Sequence, residues 1–272
     1  MPELPEVETT RRGLIPWMRG ATIAELIVRE PRLRWPIAAD LGGRLRGRVV
    51  TDLIRRGKYL IVSLEQGALI VHLGMSGSLR VVGPEVAPGP TEPFDLVLAG
   101  EPGMRVRMRD PRRFGALLYS EDPLSHPLIA PLGPEPLEAG FDGAYLHARS
   151  RGRTIAIRDL LLNGHIVAGI GNIYANEALF EAGIHPGRAA GRIGAARYGA
   201  LAQALITVLS QALEAGGTTL KDFAGSDGRP GYFQQQLQVY GREGAPCRRC
   251  KAPIARLPGA GRSSYYCPKC QR

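Results

Sequence analysis

The sequence predicts an α+β chain: an N-terminal β-sandwich with one leading helix, then a helical domain ending in a four-cysteine module. Three observations carry this reading. The first half consists of short apolar runs and alternating segments separated by turn residues. The second half shows the 3.6-residue apolar period of packed helices. All four cysteines fall at the C-terminal end. At 272 residues, length over roughly 150 gives about two domains. With 44% hydrophobic and 22% charged residues the chain is folded rather than disordered, and it can bury a core without disulfide staples.

The elements follow in order. Leu4 to about Gly20 reads as a helix, with Pro5 in its first turn and Val7, Arg11 and Leu14 on related faces. Tyr59–Leu64 and Ala68–Leu73 are apolar runs separated by Glu65-Gln66-Gly67, the pattern of a hairpin. Phe94–Leu98, the alternating Met104–Met108 with its arginines on one face, and Gly115–Tyr119 complete a mostly antiparallel system. Five prolines between Asp122 and Pro136 mark a linker, with the boundary near Leu132. Leu201, Leu205, Val208, Leu209 and Ala212 then give a helical stripe, stopped by Gly216-Gly217. No internal repeat stands out.

No apolar run approaches the roughly 20 residues of a membrane helix, and the opening Met1-Pro-Glu-Leu-Pro-Glu6 is acidic rather than a basic signal. Membrane and secretory readings are therefore set aside. The formal charge is +10, which suits a polyanionic partner but also fits many soluble proteins. Its distribution says more: Tyr240–Arg272 carries eight Lys/Arg against the single acid Glu243. Only four of the 35 basic residues are lysines (Lys58, Lys221, Lys251, Lys269), a bias ascribed to genome composition.

Cys247-x2-Cys250, sixteen residues, then Cys267-x2-Cys270 is spacing that places four thiolates around one Zn²⁺. Two disulfides or a redox CxxC are the alternatives, and disulfides are disfavoured without a secretion signal. With no position left for water, such a site is structural. Arg248, Arg249, Lys251, Arg256, Arg262 and Lys269 surround it, which favours a nucleic-acid-binding finger over a purely structural one. At the other end, removal of Met1 would leave Pro2 as a secondary amine. An α-amino group has a pKa of about 7.7–8.0, and a secondary amine condenses with an aldehyde to a cationic iminium, an electron sink. Glu3 would sit beside it as an acid or base. On the residues alone, however, a Met-Pro start is common and carries no catalytic implication.

Five motifs in order change that weighting: Met1-Pro-Glu-Leu-Pro-Glu-Val-Glu8, His72-Leu-Gly-Met-Ser-Gly77, Asp110-Pro-Arg-Arg-Phe-Gly115, Gly169-Ile-Gly-Asn-Ile-Tyr-Ala-Asn-Glu177 and the cysteine finger. Together they resemble the formamidopyrimidine-DNA glycosylase family over essentially the whole chain. The opening is more similar to this branch than to the endonuclease VIII branch, which favours oxidised pyrimidines. The resemblance implies a bacterial, nucleoid-associated cytoplasmic enzyme acting on duplex DNA with oxidised purines and carrying one structural zinc; the sequence leaves the oligomeric state open, with a monomer as the default. It also implies three domains: 1–132 (catalytic sandwich), 133–234 (helix–two-turn–helix) and 235–272 (zinc finger).

The resemblance assigns roles residue by residue. Pro2 would attack C1′, displace the base and form the Schiff base. Glu3 would handle protons at the opening sugar ring, and Lys58 would transfer protons in β-elimination. A base inside a duplex must be extruded before chemistry, and Met75, Arg112 and Phe114 would fill and wedge the void. Without the motif, Met75 and Phe114 would read as core packing; the flanking glycines favour loop tips. Asn172 would meet a phosphate at a glycine turn opening a helix. Arg262 would grip phosphate beside the lesion and serve the δ-elimination. Tyr240, His72 and Arg153 are further DNA contacts by the same match. Thr218–Tyr232 is expected to be a mobile loop that decides lesion choice. Two departures stand out: Thr91-Glu-Pro-Phe-Asp95 replaces the usual His-x-His-Val-Asp, and Asn163-Gly164 replaces the usual Asp-Gln or Asp-Asn. A non-catalytic zinc-ribbon protein that senses distorted DNA is the competing reading, which the intact Pro2, Glu3 and Lys58 disfavour.

Overall fold

The computed structural model describes residues 1–217, 236–259 and 261–272. The described residues form two compact units: Met1–Pro131 with 215–217, and Leu132–Glu214 with 236–259 and 261–272. The first unit opens with α1 (Leu4–Met18), followed by β1 (Ile23–Val28), α2 (Leu41–Leu45), β2 (Val50–Arg56), β3 (Tyr59–Leu64), β4 (Ala68–His72), β5 (Ser78–Val82), β6 (Phe94–Leu98), β7 (Arg105–Arg109) and β8 (Ala116–Ser120).

These strands make two four-stranded antiparallel sheets, ordered β1-β6-β7-β5 and β2-β3-β4-β8. Val62, Leu69, Val71 and Leu117 of one sheet share a core with Phe94, Leu96, Val106 and Met108 of the other, and Val7, Leu14 and Met18 of α1 join it. The expected sandwich with a leading helix is thus present. The strands that sequence reading passed over, β1, β2 and β5, all lie at sheet edges. Edge strands are less enclosed and keep residues such as Glu25, Asp52 and Arg80, which blur the apolar pattern.

The second unit contains α3 (Gly143–Ser150), α4 (Ile157–Leu162), α5 (Asn172–Glu181), α6 (Ala195–Glu214) and the hairpin β9 (Ala255–Leu257) and β10 (Ser264–Tyr266). The apolar stripe read from Leu201 to Ala212 is the buried face of α6. Around β9 and β10, Cys247, Cys267, Ile254, Ala252, Val239 and Phe180 form a separate small apolar cluster. Short α3 and α4 offered too few turns for a period to be seen.

Candidate functional site

In the first unit, the local sequence fixes the start of α1. Glu3 is the N-cap in extended conformation, Pro5 lies in the first turn, and Glu3 and Glu6 form a capping box in which the Glu6 carboxylate accepts the Glu3 N–H at 2.9 Å. The N3 acid and the first-turn proline suit a helix start. Pro2 and Glu3 are both buried. Further along the helix, Glu8 accepts from Arg11 at 2.8 and 2.9 Å and from Arg12 at 2.9 Å, and Arg55 of β2 lies 3.5 Å away. Burial alone would raise the Glu8 pKa; the Arg11 and Arg12 hydrogen bonds outweigh it and hold the carboxyl below its ordinary range. Arg11 also donates to the Leu53 carbonyl at 3.0 Å. The helix that begins beside Pro2 is thereby fastened to β2, the strand leading to Lys58.

Lys58 sits in the two-residue turn between β2 and β3, where Arg56 pairs with Tyr59 and Gly57 takes φ +57°. A glycine at the first central position with positive φ suits a tight hairpin. Tyr59 lies opposite His72 across β3 and β4, with ring centroids 4.9 Å apart.

The Met75 and Phe114 turns meet through their backbones. A Cβ on Gly74, at φ +65°, would fall 2.5 Å from the Phe114 carbonyl carbon and 2.6 Å from the Gly115 nitrogen. His72 accepts the Gly74 N–H on Nδ1 at 3.0 Å and interacts with the Phe114 backbone. It is only 9% exposed; burial, then the charges of Lys58 and Arg34, push its pKa down to about 4. It is a neutral tie between turns as much as a surface group. Asp110 accepts the Gly115 N–H at 2.7 Å, and its pKa is raised by burial against the backbone N–H groups of its own turn. Met75 is half-buried, Arg112 is exposed and Phe114 is 45% exposed, with the Arg112 guanidinium 5.1 Å from the Phe114 ring centre. Phe114 therefore stands exposed on a backbone-locked turn and is not a core residue.

The Thr91–Asp95 segment is tied by charge. Buried Asp95 takes a fork from Arg107 at 2.9 and 2.9 Å and another from Arg29 at 2.7 and 3.2 Å. Burial would raise its pKa, but those arginines hold it low. Arg80 pairs with Glu92 at 2.8 Å, and the Thr91 carbonyl accepts the Asp110 N–H at 2.7 Å. At the other departure, Asn163 Oδ1 accepts the His165 N–H at 3.0 Å.

In the second unit, Gly171 is the N-cap of α5 and Asn172 its first residue. Asn172 donates to the Ser263 carbonyl at 2.9 Å. Asn176 accepts the Tyr265 N–H at 2.8 Å, and the buried Glu177 carboxylate accepts the N–H groups of Gln238, Val239 and Tyr240 at 2.7, 3.0 and 2.8 Å. Burial raises the Glu177 pKa despite these bonds. The structure thus brings Asn172, Tyr240 and Arg262 onto one scaffold, with Tyr240 edge-on to Tyr265 at 5.2 Å. Arg262 is exposed. Arg153 is exposed on the turn after α3, donating to the Arg149 carbonyl at 2.8 Å. Asn176, Glu177 and Arg158 were missed from sequence. The signal for Asn176 and Glu177 was a polar pair in the buried helix α5; Arg158, in the short α4, gave none. Thr218–Tyr232 lies outside the described residues.

The four cysteine sulfurs all lie within 4.8 Å of one another, with Cys247–Cys270 at 4.0 Å and Cys250–Cys267 at 3.3 Å. Tetrahedral zinc with Zn–S near 2.3 Å requires S···S of about 3.8 Å. The donor set therefore fits one zinc with four protein ligands, a structural rather than catalytic arrangement.

Comparison with known proteins gives consistent matches along the chain. Residues 1–117 match the formamidopyrimidine-DNA glycosylase N-terminal domain, 132–224 its H2TH domain, and 244–272 the zinc finger found in FPG and IleRS. A formamidopyrimidine-DNA glycosylase of Methylococcus capsulatus is 54% identical, with the whole of both chains covered. The solved MutM (Fpg) protein of Thermus thermophilus is 40% identical at a TM-score of 0.88, covering 99% of this chain and 98% of that one. A Lactococcus lactis Fpg mutant in complex with Fapy-dG-containing DNA is 32% identical at 0.92, with both chains fully covered. The wild-type Lactococcus enzyme, 33% identical at 0.90 over the full length of both chains, has also been solved with DNA containing an oxidised pyrimidine. With identity this high and coverage this complete, the chain belongs to the formamidopyrimidine-DNA glycosylase family.

Proposed function

We propose that this protein excises oxidised purines, 8-oxoguanine and formamidopyrimidines, from duplex DNA and then cleaves the strand as an abasic-site lyase. The observation that carries this is the full-length family match in a chain that keeps Pro2, Glu3 and Lys58. After removal of Met1, the Pro2 nitrogen attacks C1′ as the bond to the base breaks. Buried Glu3 delivers a proton to the sugar-ring oxygen as the ring opens, leaving an iminium at C1′. That cation acidifies the C2′ proton. Lys58 takes part in transferring it, and the 3′ phosphate leaves by β-elimination. Arg262 supports the second, δ, elimination that releases the 5′ phosphate.

Met75, Arg112 and Phe114 occupy and wedge the space left by the extruded nucleotide; opening a step in this way costs a few kcal/mol. His72, Asn172, Tyr240 and Arg153 complete the DNA contacts. The zinc held by Cys247, Cys250, Cys267 and Cys270 organises the finger that carries Arg262. The protein acts as a monomer in the bacterial cytoplasm, at the nucleoid. Among the described residues no helix is long and apolar enough to cross a membrane.

The test is cleavage of three duplexes bearing one 8-oxoguanine, one formamidopyrimidine or one thymine glycol. The first two should be cut at least tenfold faster than the third. A preference for thymine glycol would overturn the purine assignment, a live question because a relative has been solved on an oxidised pyrimidine.

A further inference from the structure

Four consecutive residues at the tip of the finger, Arg262 to Tyr265, are each held by a side chain from the helical part of the same unit. Asn172 donates to the Ser263 carbonyl at 2.9 Å, and Asn176 accepts the Tyr265 N–H at 2.8 Å. The other two are held by one residue: Arg158 Nη1 donates to the Arg262 carbonyl at 2.7 Å and to Ser264 Oγ at 3.1 Å. Arg158 is buried, at 7% exposure. Its own backbone N–H is fixed to the Pro186 carbonyl at 3.2 Å, and the preceding Ile157 N–H to the Arg188 carbonyl at 2.8 Å.

The guanidinium has little left to offer a phosphate. Nε and Nη2 donate to Asp159 at 2.9 and 2.5 Å, so its charge is already paired and four of its five N–H groups have partners within the protein. It is also enclosed by the finger: a Cβ on Gly259 would fall 2.9 Å from Nη2.

From this geometry we propose that Arg158 is the positioning residue that aims Arg262. It grips that residue by its carbonyl and so couples the helical scaffold to the finger tip. The proposal rests on the role given to Arg262 above. A guanidinium suits the task because its planar fork can bond Asp159 along one edge while Nη1 reaches two groups of the tip.

The test uses full-length zinc-loaded protein and the variants Arg158→Ala, Arg158→Lys, Arg262→Ala and Arg158→Ala/Arg262→Ala. Zinc content and cooperative melting establish that each folds. Amide hydrogen exchange over 262–265 reads the geometry, and the ratio of δ- to β-elimination products on an abasic duplex reads the function. Arg158→Ala is expected to speed exchange at the tip at least tenfold and to lower the product ratio nearly as far as Arg262→Ala does. The double variant should be no worse than Arg262→Ala, the signature of two residues acting as one unit. Arg158→Lys keeps one donor for the Arg262 carbonyl and should recover at least half of the product ratio. Unchanged exchange in Arg158→Ala overturns the proposal, as do additive losses in the double variant. If exchange quickens but Arg262→Ala leaves the ratio untouched, the role given to Arg262 fails, and the proposal with it.

Discussion

The Met75 and Phe114 turns of the first unit and the finger tip of the second both present candidate DNA-contacting side chains, yet they are held by opposite means. Gly74 and the Phe114-Gly115 backbone are packed so closely that a single carbon cannot be added, and the turns rest on a sandwich core with contributions from both sheets. Steric exclusion does most of the positioning there. The finger has only a small apolar cluster of its own. Its tip is held by the polar side chains of Arg158, Asn172 and Asn176, its entry at 238–240 by Glu177, and four sulfurs gather its two cysteine pairs. A region held by exclusion tolerates the loss of one hydrogen bond and rejects added atoms. A region held by polar ties and a metal behaves the other way round.

The largest expected effect tests whether either scaffold matters without the N-terminal amine. A protein that retains Met1, or carries an uncleaved tag, has an amide at Pro2, whose lone pair is delocalised. It should keep its fold, its zinc and most of its affinity for lesion DNA, yet lose excision and strand cleavage by a factor of at least about 10³. Borohydride should trap the wild type on DNA at residue 2 and fail to trap the blocked form. A confirmed blocked protein that cuts and traps normally would move the nucleophile elsewhere, with Lys58 first in line.

Next in size is the metal. Zinc contributes on the order of 10 kcal/mol to the folding of isolated fingers, and the finger has little apolar burial to replace it. Cys250→Ser should therefore lose DNA affinity tenfold or more in gel-shift titrations while the sandwich still melts cooperatively by circular dichroism. Full affinity in a zinc-free protein would show that the polar ties alone suffice.

Gly74→Ala probes the opposite mode by adding one carbon. Placing alanine at φ +65° costs roughly 1–2 kcal/mol, and the clash with Phe114 adds to it, so a loss of about 2–4 kcal/mol is expected in denaturant unfolding. Extrusion, followed by a fluorescent base analogue beside the lesion, should slow. Wild-type stability in this variant would mean the two turns move apart freely, against the exclusion argument.

The smallest effect is a pH slope. His72 is neutral in the folded protein, with a pKa of about 4, whereas in the unfolded chain it takes a proton near pH 6.5. Between those values the unfolded state binds more protons, so stability falls as pH drops from about 6.5 toward 4, by at most about 3 kcal/mol from this group. His72→Asn offers an oxygen in place of Nδ1 for the Gly74 N–H and carries no titrating ring. Its melting temperature should fall less over that window. Equal slopes in the two proteins would remove His72 from the account of acid sensitivity.

Much of this was written in the chain itself. The α+β order, the helix starting at Leu4, the central strands and the long helix ending at Glu214 follow from periodicity and from glycine and proline, because those signals act within a few residues. The four cysteines pointed to zinc through their spacing, which pairs the sulfurs within each CxxC, while the hairpin of β9 and β10 lies between the two pairs that the fold brings together. The ordered motifs carried the family. What needed the tertiary structure were the contacts between distant segments. That Gly74 lies against Phe114, that Glu177 gathers three N–H groups some sixty residues away, and that Arg158 grips Arg262 across 104 positions leave no periodic trace. A buried polar residue has no local pattern that names its partner. Only folding, which removes water and makes an unpaired charge or amide costly, decides which one it finds.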